Sequence, residues 1–238
     1  MSSSSPKIVI HWLEHSRAQR VVWLLEELGL PYEVKHYKRD PKTLLAPDEL
    51  REVHPLGKSP VAVITDNGQT ITVAESGAIV EFLIERYGSE QLSVPASSSD
   101  LGARADYLLW LHWAEGSGMF PLLLSMIFAQ MPKQAPWLAR PLVSAVASGV
   151  MSQFVLPRLK SNFAFIEQSL EGKEFFAGGK LTGADIMMSF VAEGLEVAPV
   201  PSSKYPNITR WHAAVKERAA YKKAETTGGQ NNLSVFMQ

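Results

Sequence analysis

The chain changes character across residues 87–99. Before that stretch, short β-branched runs alternate with amphipathic helical patterns; beyond it almost no strand signal remains. The stretch itself contains Gly88-Ser89-Glu90 and Pro95-Ala96-Ser97-Ser98-Ser99, the turn-forming composition of a linker. A chain divided in this way is expected to be α+β and to fold as two units. Residues 1–88 form a small βαβ-ββα domain, 89–98 a linker, and 99–238 an all-helical bundle domain. With 238 residues, 46% of them hydrophobic, there is apolar surface enough for both cores.

In the first unit, residues 7–12 are β-branched and read as a strand. Residues 16–28 carry Val21, Leu24, Leu25 and Leu28 at helical spacing, and Gly29 ends the helix. Residues 31–37 read as a second strand, so the opening unit is strand–helix–strand, which pairs in parallel through a right-handed crossover. Residues 39–53 are polar and interrupted by Pro41 and Pro47, leaving room for a short helix in their second half. Then His54-Pro55-Leu56-Gly57-Lys58-Ser59-Pro60 turns and stops. Val61-Ala62-Val63-Ile64 and Thr70-Ile71-Thr72-Val73 flank Asp66-Asn67-Gly68, where Asn-Gly supplies the positive φ of a tight hairpin. Glu75-Ser76-Gly77 opens a helix with an acid and a hydroxyl. Its unpaired N–H groups favour an anion.

In the second unit, Ser97 and Asp100 are candidate caps of a long helix reaching about residue 130. Residues 136–170 form a second apolar-periodic segment, with Pro141 and Pro157 expected to start, kink or interrupt helices. Thr182-Gly183-Ala184-Asp185 has the spacing of a capping box. A last helix covers residues 206–219, and the Gly- and Asn-rich tail from Thr226 is expected to be loose.

Several function classes drop out. The formal charge is −1, which gives no reason to expect nucleic acid or an anionic membrane as partner. The chain has no cysteine, so disulfides, thiolate nucleophiles and cysteine zinc sites are excluded. His11 and His15 are four residues apart, but His11 falls on a strand and no acid is spaced with them; no metal is expected. Residues 1–5, followed by Pro6 and Lys7, lack the apolar core of a secretory signal, and no apolar run reaches the ~18–20 residues of a membrane span. A cytoplasmic location without a transmembrane segment is expected, with peripheral membrane association left open.

Taken together and in order, Ser59-Pro60, Glu75-Ser76 and Thr182-Gly183-Ala184-Asp185 make the chain resemble a cytosolic glutathione transferase over nearly its whole length. The segments 11–20 and 23–29 are similar to the fungal and bacterial branch related to the yeast microsome-associated glutathione transferases. The resemblance implies a thioredoxin-like first domain with Pro60 in cis. It implies that the Ser59 main chain pairs with the cysteinyl backbone of glutathione as an added strand. Glu75 and Ser76 would take its γ-glutamyl end, and Lys58 would meet a carboxylate. It further implies a homodimer, and a site for hydrophobic electrophiles between the domains, toward which Trp110, His112, Trp113, Met119, Phe120, Met126, Phe128 or Met131 would contribute.

The family places a Tyr, Ser or Cys near the first helix to stabilise the glutathione thiolate. No tyrosine precedes Tyr32, which leaves Ser16, Arg17 and His15. A hydroxyl or a cation beside a thiolate lowers its pKa. Ser16 is equally readable as the cap of a Ser16/Gln19 capping box. The expected function is that of a glutathione transferase using glutathione as co-substrate and conjugating hydrophobic electrophiles, with peroxidase activity open. The alternative is a non-catalytic protein that binds glutathione or a hydrophobic ligand on the same fold.

Overall fold

A computed structural model describes residues 5–236. Residues 1–4, which carry most of the N-terminal stretch read above as lacking a secretory signal, lie outside the described residues, as do 237–238.

The first unit is built on β1 (Lys7–Leu13), α1 (Ala18–Leu28), β2 (Glu33–Tyr37), α2 (Glu49–Val53), β3 (Val61–Asp66), β4 (Gln69–Ala74) and α3 (Ser76–Tyr87). The strands form one sheet in the order β2-β1-β3-β4, with β1 and β2 parallel and both other pairs antiparallel. Alternate residues of β1, Ile8, Ile10 and Trp12, are buried, and α1 buries Ala18 through Leu25 without a break. Asn67 and Gly68 both take positive φ and close the β3–β4 hairpin.

A one-turn helix α4 (Ser89–Leu92) falls within the stretch read as linker. The helical unit follows: α5 (Leu101–Trp113), α6 (Met119–Gln134), α7 (Arg140–Val150), α8 (Leu156–Ser169), α9 (Gly183–Val197), α10 (Pro206–Lys216) and α11 (Ala219–Gly228). The Asp100 side chain caps α5 by accepting from the Ala103 N–H at 2.8 Å. Thr182 and Asp185 form the expected capping box. α9 is buried on nearly all sides from Gly183 to Leu195, its few polar side chains Asp185, Ser189 and Glu193 included. It packs against α1, α3, α5 and α10, so the two units share one continuous core.

Two expectations need correction. Pro157, expected to start, kink or interrupt a helix, does not end the one it lies in, and neither does Pro121 in the first long helix. Each follows a π-helical turn, Met151–Val155 and Ala114–Gly118 respectively, that joins α7 to α8 and α5 to α6. A proline ring clashes with the carbonyl four residues back, and a widened turn gives it room. Residues Arg140–Ser169 therefore run as one helix of 30 residues, long and apolar enough by length and composition to cross a membrane. Its Leu159, Phe163 and Ile166 nevertheless face the protein core, and it is not a span. The second correction is the C-terminal region. Residues 219–228 are helical although strongly polar: Tyr221 and Ala224 are buried, the Tyr221 ring 5.2 Å edge-on to Trp23. The tail is not loose either. It returns to the first strand–helix turn, as described below.

Candidate active site

The sheet register gathers the motifs. His11 pairs with Val61 and Val61 with Ala74. The residues just beyond these pairs therefore share one end of the sheet: the β1–α1 turn after Leu13, Ser59-Pro60 ahead of β3, and Glu75-Ser76 after β4. Leu13 pairs with Tyr37, which brings the end of β2 and Arg39 to the same place. The Ser59–Pro60 bond is cis. Glu75 has φ 69° and ψ 120°, outside the conformations a side chain ordinarily permits, at about 1–3 kcal/mol. Such strain concentrates where function demands it. Glu75 is exposed with no capping bond of its own, and Ser76 is buried at the start of α3.

Two serines meet at this end. Ser59 Oγ donates to the His11 carbonyl at 2.9 Å and accepts the Leu13 N–H at 3.0 Å. Its one hydrogen is thereby used, so in the 3.4 Å contact between Ser16 Oγ and Ser59 Oγ the donor is Ser16. That bond is long and weak. Ser16 Oγ also accepts the Ala18 N–H at 3.2 Å, at the start of α1. The Ser16/Gln19 capping box does not form. Gln19 points the other way, and with its amide oriented to suit its neighbours it bonds the Gly229 carbonyl and the Glu225 N–H, each at 3.1 Å. Ser16 is left with a hydroxyl hydrogen that only a 3.4 Å contact holds.

The other two catalytic candidates are already engaged. Arg17 Nε donates to Glu115 Oε1 at 2.9 Å. Glu115 lies in the π-helical turn between α5 and α6, and it also pairs with Arg20. The Arg20 side chain is 1% exposed, donates to the Met187 carbonyl at 2.8 Å, and lies 5.7 Å from the Phe190 ring centroid. Burial pulls the Arg20 guanidinium below its ordinary value against the pull of Glu115. Burial alone would raise the Glu115 carboxyl, but Arg20 and Arg17 together hold it below its ordinary value. The three charges tie the first helix of one unit to the other. His15 takes φ 51° and accepts the Asn232 N–H on Nδ1 at 3.1 Å.

Beside Ser16 and Ser59 opens a cavity of about 550 Å³. Its polar rim includes His15, Arg17, Arg39, Arg51 and Lys58. Its apolar wall comes from Leu45 and Leu56 on one side, from Met119, Leu122, Leu123 and Met126 of α6, from Phe190 of α9, and from Leu233 and Phe236 of the tail. Pro60 is buried behind Ser59, and neither Glu75 nor Ser76 lines this cavity; they stand at the same sheet end outside it. Of the eight aromatic, histidine and methionine candidates, Met119 and Met126 line it. Trp110 is buried and packs in an aromatic cluster with Trp113, Phe165 and Phe176. Phe120, His112 and Met131 are exposed.

Arg39, Phe190 and Phe236 were not legible as site residues. Arg39 sits in a polar stretch with no pattern, and it is held by the Glu14 carbonyl at 3.0 Å and the Leu44 carbonyl at 2.9 Å. Asp185 does not line the cavity and is structural. Its carboxylate accepts from Thr182 N at 2.9 Å, Thr182 Oγ1 at 3.0 Å, Phe176 N at 3.1 Å and Trp211 Nε1 at 3.3 Å, while burial pushes its pKa up to about 6. His11 is buried with Nδ1 2.8 Å from Tyr37 Oη, and burial lowers its pKa. Among the described residues no three His, Cys, Asp or Glu side chains converge as metal ligands.

A four-stranded thioredoxin-like unit with a cis-proline before β3, packed on an all-helical unit across an apolar cleft, defines a class of fold. Comparison with known proteins agrees. The family "Glutathione S-transferase, N-terminal domain" matches residues 16–86, and "Glutathione S-transferase, C-terminal domain" matches residues 132–219. Glutathione S-transferase 3 of Schizosaccharomyces pombe is 34% identical over 229 residues, 96% of this chain and 91% of the relative. Glutathione S-transferase 1 of Saccharomyces cerevisiae is 33% identical over 227 residues, 92% and 94% of the two chains. The crystal structure of a glutathione S-transferase from Actinobacillus pleuropneumoniae, 35% identical, superimposes with a TM-score of 0.72 over 95% of each chain. The chain belongs to the glutathione S-transferase family.

Proposed function

We propose that the protein binds glutathione at this sheet end and directs its thiolate at apolar electrophiles held in the adjoining cavity. The observation that carries the reading is the convergence of Ser59-Pro60, Glu75-Ser76 and the Ser16 hydroxyl at one end of the sheet, beside an apolar cavity of about 550 Å³. Glutathione is a short anionic peptide. The β1–β3 register ends at His11–Val61, so the Ser59 main chain lies beyond the ladder and suits pairing with an extended peptide. The α3 N-terminus with Ser76 suits the γ-glutamyl carboxylate, and the exposed Glu75 carboxylate suits its ammonium. Lys58 on the rim suits the other carboxylate.

Ser16 is the proposed thiolate stabiliser. Its hydrogen can turn from the weak Ser59 contact to a sulfur, and the nearby N-terminus of α1 favours the anion further. Arg17 adds positive charge at the rim while Glu115 fixes its direction. The chain supplies orientation and thiolate stabilisation; the electrophile supplies the leaving group. Conjugation is the primary activity proposed, with peroxide reduction by the same thiolate as a second. The protein is proposed to act in the cytoplasm as a homodimer, and sedimentation at micromolar concentration tests the dimer.

The test is conjugation of a chlorodinitrobenzene-type substrate and reduction of an organic peroxide, with Ser16→Ala alongside. Turnover by the native chain and a loss of about tenfold or more in Ser16→Ala is expected. Absence of turnover with every electrophile and peroxide overturns the transferase reading. Because His15 and Arg17 both already hold protein partners, a second reading remains: a binding protein that retains glutathione on an affinity matrix without turning it over.

A further inference from the structure

One hydroxyl joins three segments at the sheet end. β1 and β3 pair antiparallel from Lys7–Thr65 to His11–Val61. Continued in that register, the next facing pairs would be Trp12 with Pro60 and Leu13 with Ser59. Pro60 has no N–H to give to a rung. The Ser59 side chain bonds in its place: Oγ donates to the His11 carbonyl at 2.9 Å and accepts the Leu13 N–H at 3.0 Å. A hydroxyl is donor and acceptor at one atom, so it can stand in for a main-chain rung; an alkyl side chain can be neither. With its hydrogen on His11 and one lone pair on Leu13, Oγ has one lone pair left, and the Ser16 hydroxyl lies 3.4 Å from it.

These contacts set a spacing. Leu13 ends β1, and the turn from it leads to Ser16 and α1. On the other edge this strand end is held by β2, with Leu13 paired to Tyr37 and the Glu14 N–H donating to the Tyr37 carbonyl at 3.2 Å. Toward β3, beyond the His11–Val61 pair, the hydrogen bonds to His11 and Leu13 come from the Ser59 hydroxyl. Loss of that hydroxyl would leave the strand in its sheet and free the offset between two groups. One is the Ser59 main chain, which the reading above pairs with the cysteinyl residue of glutathione. The other is the Ser16 hydroxyl, which that reading aims at the sulfur. Both must converge on one residue of the ligand, and a misplacement of about 1 Å can cost about a hundredfold in rate. Ser59 Oγ does not itself donate to the sulfur, because its one hydrogen is already given to His11.

We propose that the Ser59 side chain is a positioning residue for the glutathione thiolate. It fixes the Ser16 hydroxyl at a set distance from the main chain that seats the cysteinyl residue. It also offers the Ser16 hydrogen a weak resting acceptor from which that hydrogen turns to the sulfur. The role belongs to the hydroxyl and is separate from main-chain pairing at residue 59; it rests on the transferase reading above. On binding, the thiol gives its proton to solvent water and Ser16 keeps its own hydrogen. The Ser16···Ser59 contact is exchanged for an O–H···S⁻ bond, which lowers the thiol pKa.

Threonine and valine differ little in shape, so Ser59→Thr against Ser59→Val separates the hydroxyl from its bulk. Both are made in the full chain with Ser59→Ala as a third, and each is repeated on a Ser16→Ala background. The readouts are the thiol pKa of bound glutathione from the ultraviolet absorbance of the thiolate, the pH profile of kcat with a chlorodinitrobenzene-type substrate, glutathione affinity, and amide hydrogen exchange at Leu13. Relative to Ser59→Thr, Ser59→Val and Ser59→Ala are expected to show Leu13 exchange about tenfold faster, a bound-thiol pKa about one unit higher, and kcat below that pKa about tenfold lower. Glutathione affinity is expected to change by less than about threefold. On the Ser16→Ala background the differences in pKa and kcat are expected to vanish, because the effect passes through Ser16. Equal thiol pKa and kcat in Ser59→Thr and Ser59→Val overturn the role. So does a difference that persists undiminished without Ser16, or faster Leu13 exchange with the thiol pKa unmoved. If both branched variants fail to fold, Ser59→Ala against the native chain decides by the same readouts. A native chain that binds glutathione without turnover overturns the transferase reading, while the thiol pKa still decides the role of Ser59; a native chain that binds none overturns both.

Discussion

Glu115→Gln removes one charge from the triad that joins the two units, in which Arg20 is the buried member. Arg20 is 1% exposed, its Nε has no partner, and what remains to it is the Met187 carbonyl, the Phe190 ring and the longer-range pull of the Glu193 carboxylate. Breaking a buried pair by removing one partner costs about 3–5 kcal/mol, because the other charge stays uncompensated. Two features reduce this. Glu115 is itself 34% exposed, so water reaches that end, and a glutamine oxygen still accepts from the guanidinium. A net loss of about 2–3 kcal/mol follows. For a chain of this size it lowers Tm by roughly 4–12 °C, at 2–4 °C per kcal/mol. Arg17→Gln serves as the control: Arg17 is 34% exposed, so its share of the pair is worth at most about 1 kcal/mol and roughly 2–4 °C. The assay is thermal unfolding followed by circular dichroism, with urea unfolding at 25 °C as a second measure. If Glu115→Gln melts within about 2 °C of the native chain, or no lower than Arg17→Gln, the triad is not the strut between the units that the burial of Arg20 implies.

Three further outcomes are expected. His212 is buried and its pKa is pushed down to about 4, so at neutral pH its 3.6 Å approach to Glu196 is not an ion pair. The unfolded chain binds its proton first, so the stabilisation present above about pH 6.5 is lost as pH falls toward 4, by about 2 kcal/mol between pH 7.5 and 5; urea unfolding across that range should show a shallower loss in His212→Gln, and equal slopes would refute the assignment. Asp185→Asn faces backbone and indole donors with an amide that donates in turn, and a loss of about 2–4 kcal/mol is expected from unpaired donors at Thr182, Phe176 or Trp211; an unchanged urea midpoint would count against it. Glu75→Ala and Ser76→Ala should each weaken retention on immobilised glutathione by about tenfold, equivalent to one charge-assisted hydrogen bond, and full retention in both would remove the α3 N-terminus from the proposed site.

Much of this protein was legible because its informative chemistry is local. The Asn67-Gly68 hairpin, the Gly29 helix stop and the Thr182/Asp185 box each depend on residues within three or four positions of one another, and each forms as the spacing implies. Ser59-Pro60 and Glu75-Ser76 were readable as local motifs, and the hairpin between them made their meeting a matter of register. Helix continuity was not readable at Pro157, because nothing in a short window shows that a turn widens to accept the ring. α11 was missed because its polar sequence becomes helical through packing on α1, and packing outweighs periodicity in a short helix.

The sequence by itself determined the two-part architecture, the lack of any cysteine in the chain, and the local motifs Ser59-Pro60 and Glu75-Ser76. Only the tertiary structure showed which of His15, Ser16 and Arg17 already hold protein partners. Arg17 and Glu115 are 98 positions apart, and His15 and Asn232 are 217 apart. Whether a side chain is free for chemistry depends on whether a distant segment has already taken its hydrogen bond. That segment is brought there by the burial of α9 and the packing of α11 on α1, which no local pattern encodes.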